Sequence, residues 1–228
     1  MLRSAVAMAV GALILSWAGL PHDTSLRERM VPVKMADGHI LHVAPIEVTA
    51  ADWALCVQDK GCTFSPKAPV TPTSPQPVTG VNYFDIHQYL AWANAKSGGG
   101  LRLPTRDEWR WLNRSLEKPK AEPLFTDPRL AWAANYGQEE SPGGPVRKSG
   151  SFTTTADGIS DLDGNVWEWT STCAVQGFEG KAAHDCPAFK VEGAHEAEIP
   201  VFLRNPAAGG CALGTPPTYL GFRLVSDR

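Results

Sequence analysis

The sequence lacks the signatures by which many enzymes declare their chemistry. It has no phosphate-cradling glycine loop, no dinucleotide fingerprint and no G-x-S-x-G nucleophile turn. No two cysteines stand in a CxxC pair, which argues against a structural zinc site. No HxxxH or HxxE pair falls on an expected helix. His22, His39, His42, His87, His184 and His195 therefore read as surface residues, and an iron site is not expected. His39 and His42 are spaced to lie on opposite faces of a strand. Ser, His and Asp occur, but nothing orders them into a triad. Charge of one sign is also scarce: a net charge of −3 excludes a general binder of nucleic acid or anionic membrane.

What the chain does have is 21 Gly, 19 Pro and 8 Trp in 228 residues. That composition predicts a loop-rich domain pinned by aromatic residues. Arg3 precedes an apolar run from Ala5 to Leu20, with Ser16-Trp17-Ala18 in the small-x-small form of a signal-peptidase site. The run is short for a membrane span, which takes about 20 residues. Residues 1–18 are read as a signal peptide, 19–29 as a flexible mature N-terminus and 30–228 as one domain. The expected location is the periplasm or the cell exterior, with an uncleaved anchor as the only membrane attachment considered.

Five cysteines fit an oxidising compartment. Cys56 with Cys62 and Cys173 with Cys186 are the expected bridges, leaving Cys211. The sequence alone leaves connectivity open, since five cysteines allow fifteen ways to form two bridges.

Apolar segments at Met30–Val33 and Ile40–Val43 around Asp37-Gly38 predict a hairpin. Thr49-x-x-Asp52 resembles a capping box opening a helix to about Gln58, ended by Gly61. Five prolines between Ser65 and Pro77 make a loop. Tyr83, Ile86, Leu90 and Ala93 place a helix over about Asn82 to Lys96, capped by Asn82 or Asp85. Thr105-x-x-Glu108 opens a third helix, with Trp109, Leu112 and Leu116 on one face. Leu130–Tyr136, Gly164–Thr170 and Leu220–Val225 read as strands. Helices first and short strands later predict an α+β fold with much irregular structure.

The most chemically loaded stretch is Asp161-Leu162-Asp163-Gly164-Asn165-Val166-Trp167-Glu168-Trp169. Its oxygen side chains suit a hard cation, and glycine lets carbonyls turn inward. It begins like an EF-hand loop but has Val166 and Thr172 where that loop needs Gly and Glu. The alternative is a polar turn whose carboxylates pair with Arg102, Arg204 or Arg223.

Several segments, in order, resemble the formylglycine-generating enzyme (sulfatase-modifying factor) family. These are Glu47-Val48-Thr49, Pro77-Val78 to Trp92, Arg102-Leu103-Pro104-Thr105-Arg106-Asp107-Glu108-Trp109, Asp163 to Trp169, and Gly214-Thr215-Pro216-Pro217 with Leu220 to Val225. The resemblance covers about residues 30–228. It implies the family's variant of the C-type lectin fold. It also implies structural calcium held by Asp161, Glu168 and the carbonyls of Gly164 and Val166. A second calcium site would begin at Asn135-Tyr136, with Asp157 as a candidate acid.

The resemblance also fails at an informative place. Family enzymes hold Cu(I) between two cysteines before the final "GFR", and soft thiolates are what Cu(I) needs. Here Leu203-Arg204-Asn205-Pro206 replaces "LRGGS", and only sixteen residues separate Arg204 from Gly221. The copper pair is missing, so copper is not expected; nor is iron, since the histidine triad of the ergothioneine-type relatives has no counterpart. Cys211 reads as a spare thiol rather than a nucleophile. The expected function is an accessory or maturation protein, calcium-stabilised, that binds a protein or peptide client. Trp109, Trp132, Trp167 and Trp169 are candidates to line its surface, or else core. The alternative is an oxidoreductase acting on a peptide or peptide-derived siderophore, as in pyoverdine maturation; formylglycine formation itself is not expected.

Overall fold

A computed structural model describes residues 25–66, 74–116, 145–175, 177, 185–193, 196–204 and 219–228. The signal segment, Leu130–Tyr136 with Trp132, Asn135 and Tyr136, and Cys211 lie outside the described residues. So do His22, His184, His195 and the segment Gly214-Thr215-Pro216-Pro217.

The expected hairpin forms, with β1 (Val31–Lys34) antiparallel to β2 (Ile40–Val43). Each of three helices starts at a complete capping box. In α2 (Ala50–Gln58) the Thr49 side chain accepts from Asp52 N while Asp52 accepts from the Thr49 amide. Asn82 and Asp85 do the same for α3 (Tyr83–Ser97), which settles its cap on Asn82, and Thr105 and Glu108 for α4 (Arg106–Asn113). Each box satisfies two amide donors that a helix start leaves bare. Upstream, α1 (Ser25–Glu28) is a single turn.

Two details differ from the sequence expectation. The left-handed residue after α2 is Lys60 (φ 62°), not Gly61. Gly61 is small for another reason: a Cβ there would meet the Trp92 side chain at 2.6 Å. And α4 ends at Asn113, so Leu116 packs from the following turn.

The strands form two four-stranded sheets. The first runs β1-β2-β8-β3, with β3 at Leu101–Arg102 and β8 at Val225–Ser226. The second runs β6-β5-β4-β7, with β4 at Trp167–Cys173, β5 at Ala188–Glu192, β6 at Ala197–Pro200 and β7 at Leu220–Gly221. The single closing strand expected over Leu220–Val225 is thus two. β7 pairs parallel with β4 in one sheet, and β8 pairs with β2 and β3 in the other. Phe222, Arg223 and Leu224 carry the chain across between the sheets, all buried.

The larger core sets α2 and α3 against the second sheet. Tyr83 stacks on Phe189 at 3.7 Å between ring centroids, and Trp53 stacks on Tyr89 at 5.5 Å. The smaller core sets Trp109 and Leu112 of α4 against Leu41, Val43 and Ile159. Trp109, Trp167 and Trp169 are all buried, so these three candidates are packing residues and line no surface. Cys56–Cys62 and Cys173–Cys186 are both bridged, as expected.

Candidate functional site: a buried acidic cluster at the Asp161–Glu168 turn

The turn that precedes β4 is bent by two left-handed residues, Asp161 (φ 69°) and Asn165 (φ 70°). Asp and Asn tolerate that conformation better than other residues with a Cβ. Gly164 is required by contact: a Cβ there would meet the Phe152 ring at 2.4 Å. Asp161 accepts from Phe152 N at 2.8 Å and from Gly150 N, which ties the 150–152 segment to the turn. Asp163 accepts from the Thr153 amide and hydroxyl, and Asn165 accepts from Arg147 N.

Glu168, the second residue of β4, has no solvent exposure. Its carboxylate accepts from Arg223 Nε and Nη2, each at 2.6 Å, and from Trp109 Nε1 at 2.9 Å. Of the three arginines weighed from sequence, Arg223 is its partner. Arg102 pairs instead with Glu108 and Asp227, and Arg204 with Asp85. Arg223 also donates to the carbonyls of Ser160 and Ala44.

Sequence reasoning missed Glu47, named there only as part of a motif. It is 1% exposed and stands close enough to Arg223, Glu168 and Asp161 to feel the charge of each. One carboxylate oxygen meets Asn165 Nδ2 at 3.4 Å, and the other, Oε2, has no hydrogen-bond partner among the described residues. Burial pushes the Glu47 pKa up to about 8; Arg223 opposes the shift, and the charges of Glu168 and Asp161 add to it. Burial works against the charge of Arg223, but Glu168, Glu47 and Asp161 outweigh it and hold its pKa above the usual value. Three buried carboxylates face one buried guanidinium, a formal balance of −2 when all are ionised.

That balance bears on calcium. A buried carboxylate oxygen without a donor is costly, and a divalent ion would supply both the missing partner and the missing charge. Glu47, Asp161 and Glu168 would be the acids to offer it oxygen ligands; both Asp161 oxygens already accept from the Gly150 and Phe152 amides. Glu168 enters such a site already shared with Arg223. For the second expected calcium site, Asp157 is the described member, and it pairs with Arg114 at 3.0 Å.

All four described cysteines are in disulfides. Since the chain contains five, one thiol per chain, Cys211, is left. His87 is exposed and lies against the Tyr83 ring at 4.7 Å. Phe84, in the first turn of α3, is 50% exposed and Phe202 66% exposed; Asn82 Nδ2 donates to the Phe202 carbonyl. No described helix is long and apolar enough to cross a membrane.

Comparison with known proteins places these features. The sulfatase-modifying factor enzyme 1-like domain matches residues 7–228. The formylglycine-generating enzyme of Mycobacterium tuberculosis (strain ATCC 25618 / H37Rv) is 27% identical over 190 residues, covering 66% of this chain and 57% of that protein. That of Mus musculus is 30% identical over 138 residues, covering 54% of this chain and 35% of the mouse protein. An inactive C-alpha-formylglycine-generating enzyme 2 of Bos taurus is 33% identical over 108 residues, covering 42% of this chain and 33% of its own. The chain therefore spans between a third and somewhat over half the length of these relatives. Among solved structures, PvdO from Pseudomonas aeruginosa superposes with a TM-score of 0.55 at 19% identity, covering 82% of this chain and 80% of PvdO. Treponema denticola variable protein 1 gives 0.53 at 17% identity, covering 87% and 95%.

Proposed function

From the premise that this chain belongs to the sulfatase-modifying factor enzyme 1-like family, we propose that it is an exported accessory domain. It binds a peptide or protein client without converting cysteine to formylglycine. The observation that carries this reading is the thiol count. Two disulfides consume four of five cysteines, so one chain has one thiol to offer where a two-thiolate Cu(I) site needs two. The family stretch from Asp161 to Trp169 is likewise spent on packing: its tryptophans are buried and Glu168 is locked to Arg223. Similarity to a relative named as inactive agrees with a fold kept without the chemistry.

Export is supported by the two disulfides, which persist in oxidising compartments. A client surface is supported by Phe84, in the first turn of α3, and Phe202, both large exposed apolar side chains. Calcium belongs to this reading as a structural ion. Glu47, Asp161, Glu168 and the carbonyls of Gly164 and Val166 would hold it, and it would supply charge compensation for the buried acids. The protein's own groups hold the turn: Asp161 fixes the 150–152 backbone and Arg223 holds Glu168.

The test is turnover of a cysteine-containing peptide by the disulfide-intact protein with added Cu(I) and oxygen, read by mass spectrometry for aldehyde. No conversion is expected. Conversion that disappears in Cys211→Ala would replace this reading with formylglycine formation itself.

A further inference from the structure

We propose that His39, Glu108 and Asp227 form a surface site for a divalent transition-metal ion of the zinc type, with Asp37 as the positioning residue for the imidazole. The site is separate from the buried cluster and is made by the order of the first sheet. β8 lies between β2 and β3, so Asp227, just past β8, comes alongside the start of β2, where His39 stands. The same sheet order places β3, and with it Arg102 and the first turn of α4, on the other side of β8. A ring nitrogen of His39 and one carboxylate oxygen each from Glu108 and Asp227 lie within 4.8 Å of one another.

The imidazole is oriented. Asp37 Oδ1 meets His39 Nδ1 at 2.5 Å and also accepts from the His39 amide at 3.1 Å. A carboxylate only accepts, so in the neutral ring Nδ1 carries the proton and Nε2 keeps the lone pair a metal needs. Carboxylate–imidazole–metal relays are built in this way.

The carboxylates are oriented too. Arg102 donates to both oxygens of Glu108, at 2.8 and 2.7 Å, and to both of Asp227, at 3.0 and 2.6 Å. Glu108 Oε2 also accepts from the Thr105 amide at 2.7 Å, so Glu108 Oε1 and the Asp227 oxygens are the ones with a second lone pair to offer a metal. Asp37, Glu108 and Asp227 against Arg102 leave a formal −2, which a divalent ion neutralises. One imidazole and two carboxylates suit zinc, with water completing a tetrahedron at about 2.0–2.2 Å per ligand. Closing from the present spacing takes roughly an ångström of movement. His39 and Asp227 have room for it, their side chains being 42% and 58% exposed.

The experiment is a Zn²⁺ titration of untagged, metal-stripped full chain against a chromophoric chelator, in excess Ca²⁺ so that hard-oxygen sites are filled. The expected result is one Zn²⁺ per chain beyond any bound by His39→Gln. Asp227→Asn should weaken binding by at least tenfold. Asp37→Asn should weaken it by about 10–100-fold, as removal of an outer partner does, with an unchanged melting temperature when zinc is absent. Absence of stoichiometric zinc, or zinc retained in both His39→Gln and Asp227→Asn, would overturn the assignment.

Discussion

Glu168 and Arg223 form a bidentate ion pair with no solvent exposure, at 2.6 Å for each contact. Glu168 sits in β4 of one sheet and Arg223 on the segment that crosses to the other, so the pair joins the two halves of the fold. Breaking such a pair from one side leaves a buried charge uncompensated, a loss of about 3–5 kcal/mol. Arg223→Met is expected to lose that much in urea denaturation, and Glu168→Gln a comparable amount. A change below about 1 kcal/mol for both, the range of surface pairs, would show that the pair holds nothing together.

Calcium removal gives the second prediction. At a free concentration about a hundred times its Kd, a single ion adds about 2.7 kcal/mol, or about 5–10 °C in Tm for a chain of this size. EGTA is expected to lower the melting temperature by that amount in the parent protein but not in Glu47→Gln or Asp161→Ala. An unchanged parent melting curve would remove calcium from the account.

The pH dependence of the calcium-free protein follows from Glu47. Its folded pKa is raised from 4.5 to about 8, so between those values the unfolded chain has lost a proton that the folded chain keeps. Stability in EGTA should therefore fall as pH rises through that window and level off above it. Glu47→Gln should flatten the slope. Calcium should release the Glu47 proton on binding near neutral pH, visible as a buffer-dependent heat in titration calorimetry. A stability that rises from pH 5 to 8 equally in parent and variant would contradict this.

The Cys173–Cys186 bridge closes the longer loop, with a sequence separation of 13 against 6 for Cys56–Cys62. Chain entropy makes it the more stabilising of the two, contributing roughly 3 kcal/mol for a loop near this length. Cys173→Ser with Cys186→Ser is expected to lose about that much by denaturant titration, and the Cys56–Cys62 pair less. The reverse order would show that strain or residual unfolded structure, rather than loop length, governs the two.

What the sequence reveals is local. The capping boxes at Thr49, Asn82 and Thr105 each close within four residues, and all three were legible as helix starts. The β1–β2 hairpin was legible for the same reason. β5 and β6 were not, since β5 exists through its pairing with β4 and β6 through its pairing with β5. Leu220–Val225 was legible as extended chain, but its division between two sheets depends on partners far away in sequence. The buried cluster shows the same limit. Asp161 and Glu168 were visible in one motif, whereas Glu47 lies 118 residues from its Asn165 contact and looked like part of a helix signature. The choice of Arg223 over Arg102 and Arg204 likewise came from the fold, which gives those two other acids.

The most direct test of the central claim is Cu(I) binding by the disulfide-intact protein under anaerobic conditions. The protein is equilibrated with copper buffered by a competing chelator and analysed for metal per chain, alongside Cys211→Ala. One thiol per chain predicts no stoichiometric tight copper and no difference between the two proteins. One copper per chain in the parent, lost in Cys211→Ala, would contradict the account and return this chain to the oxidases of its family.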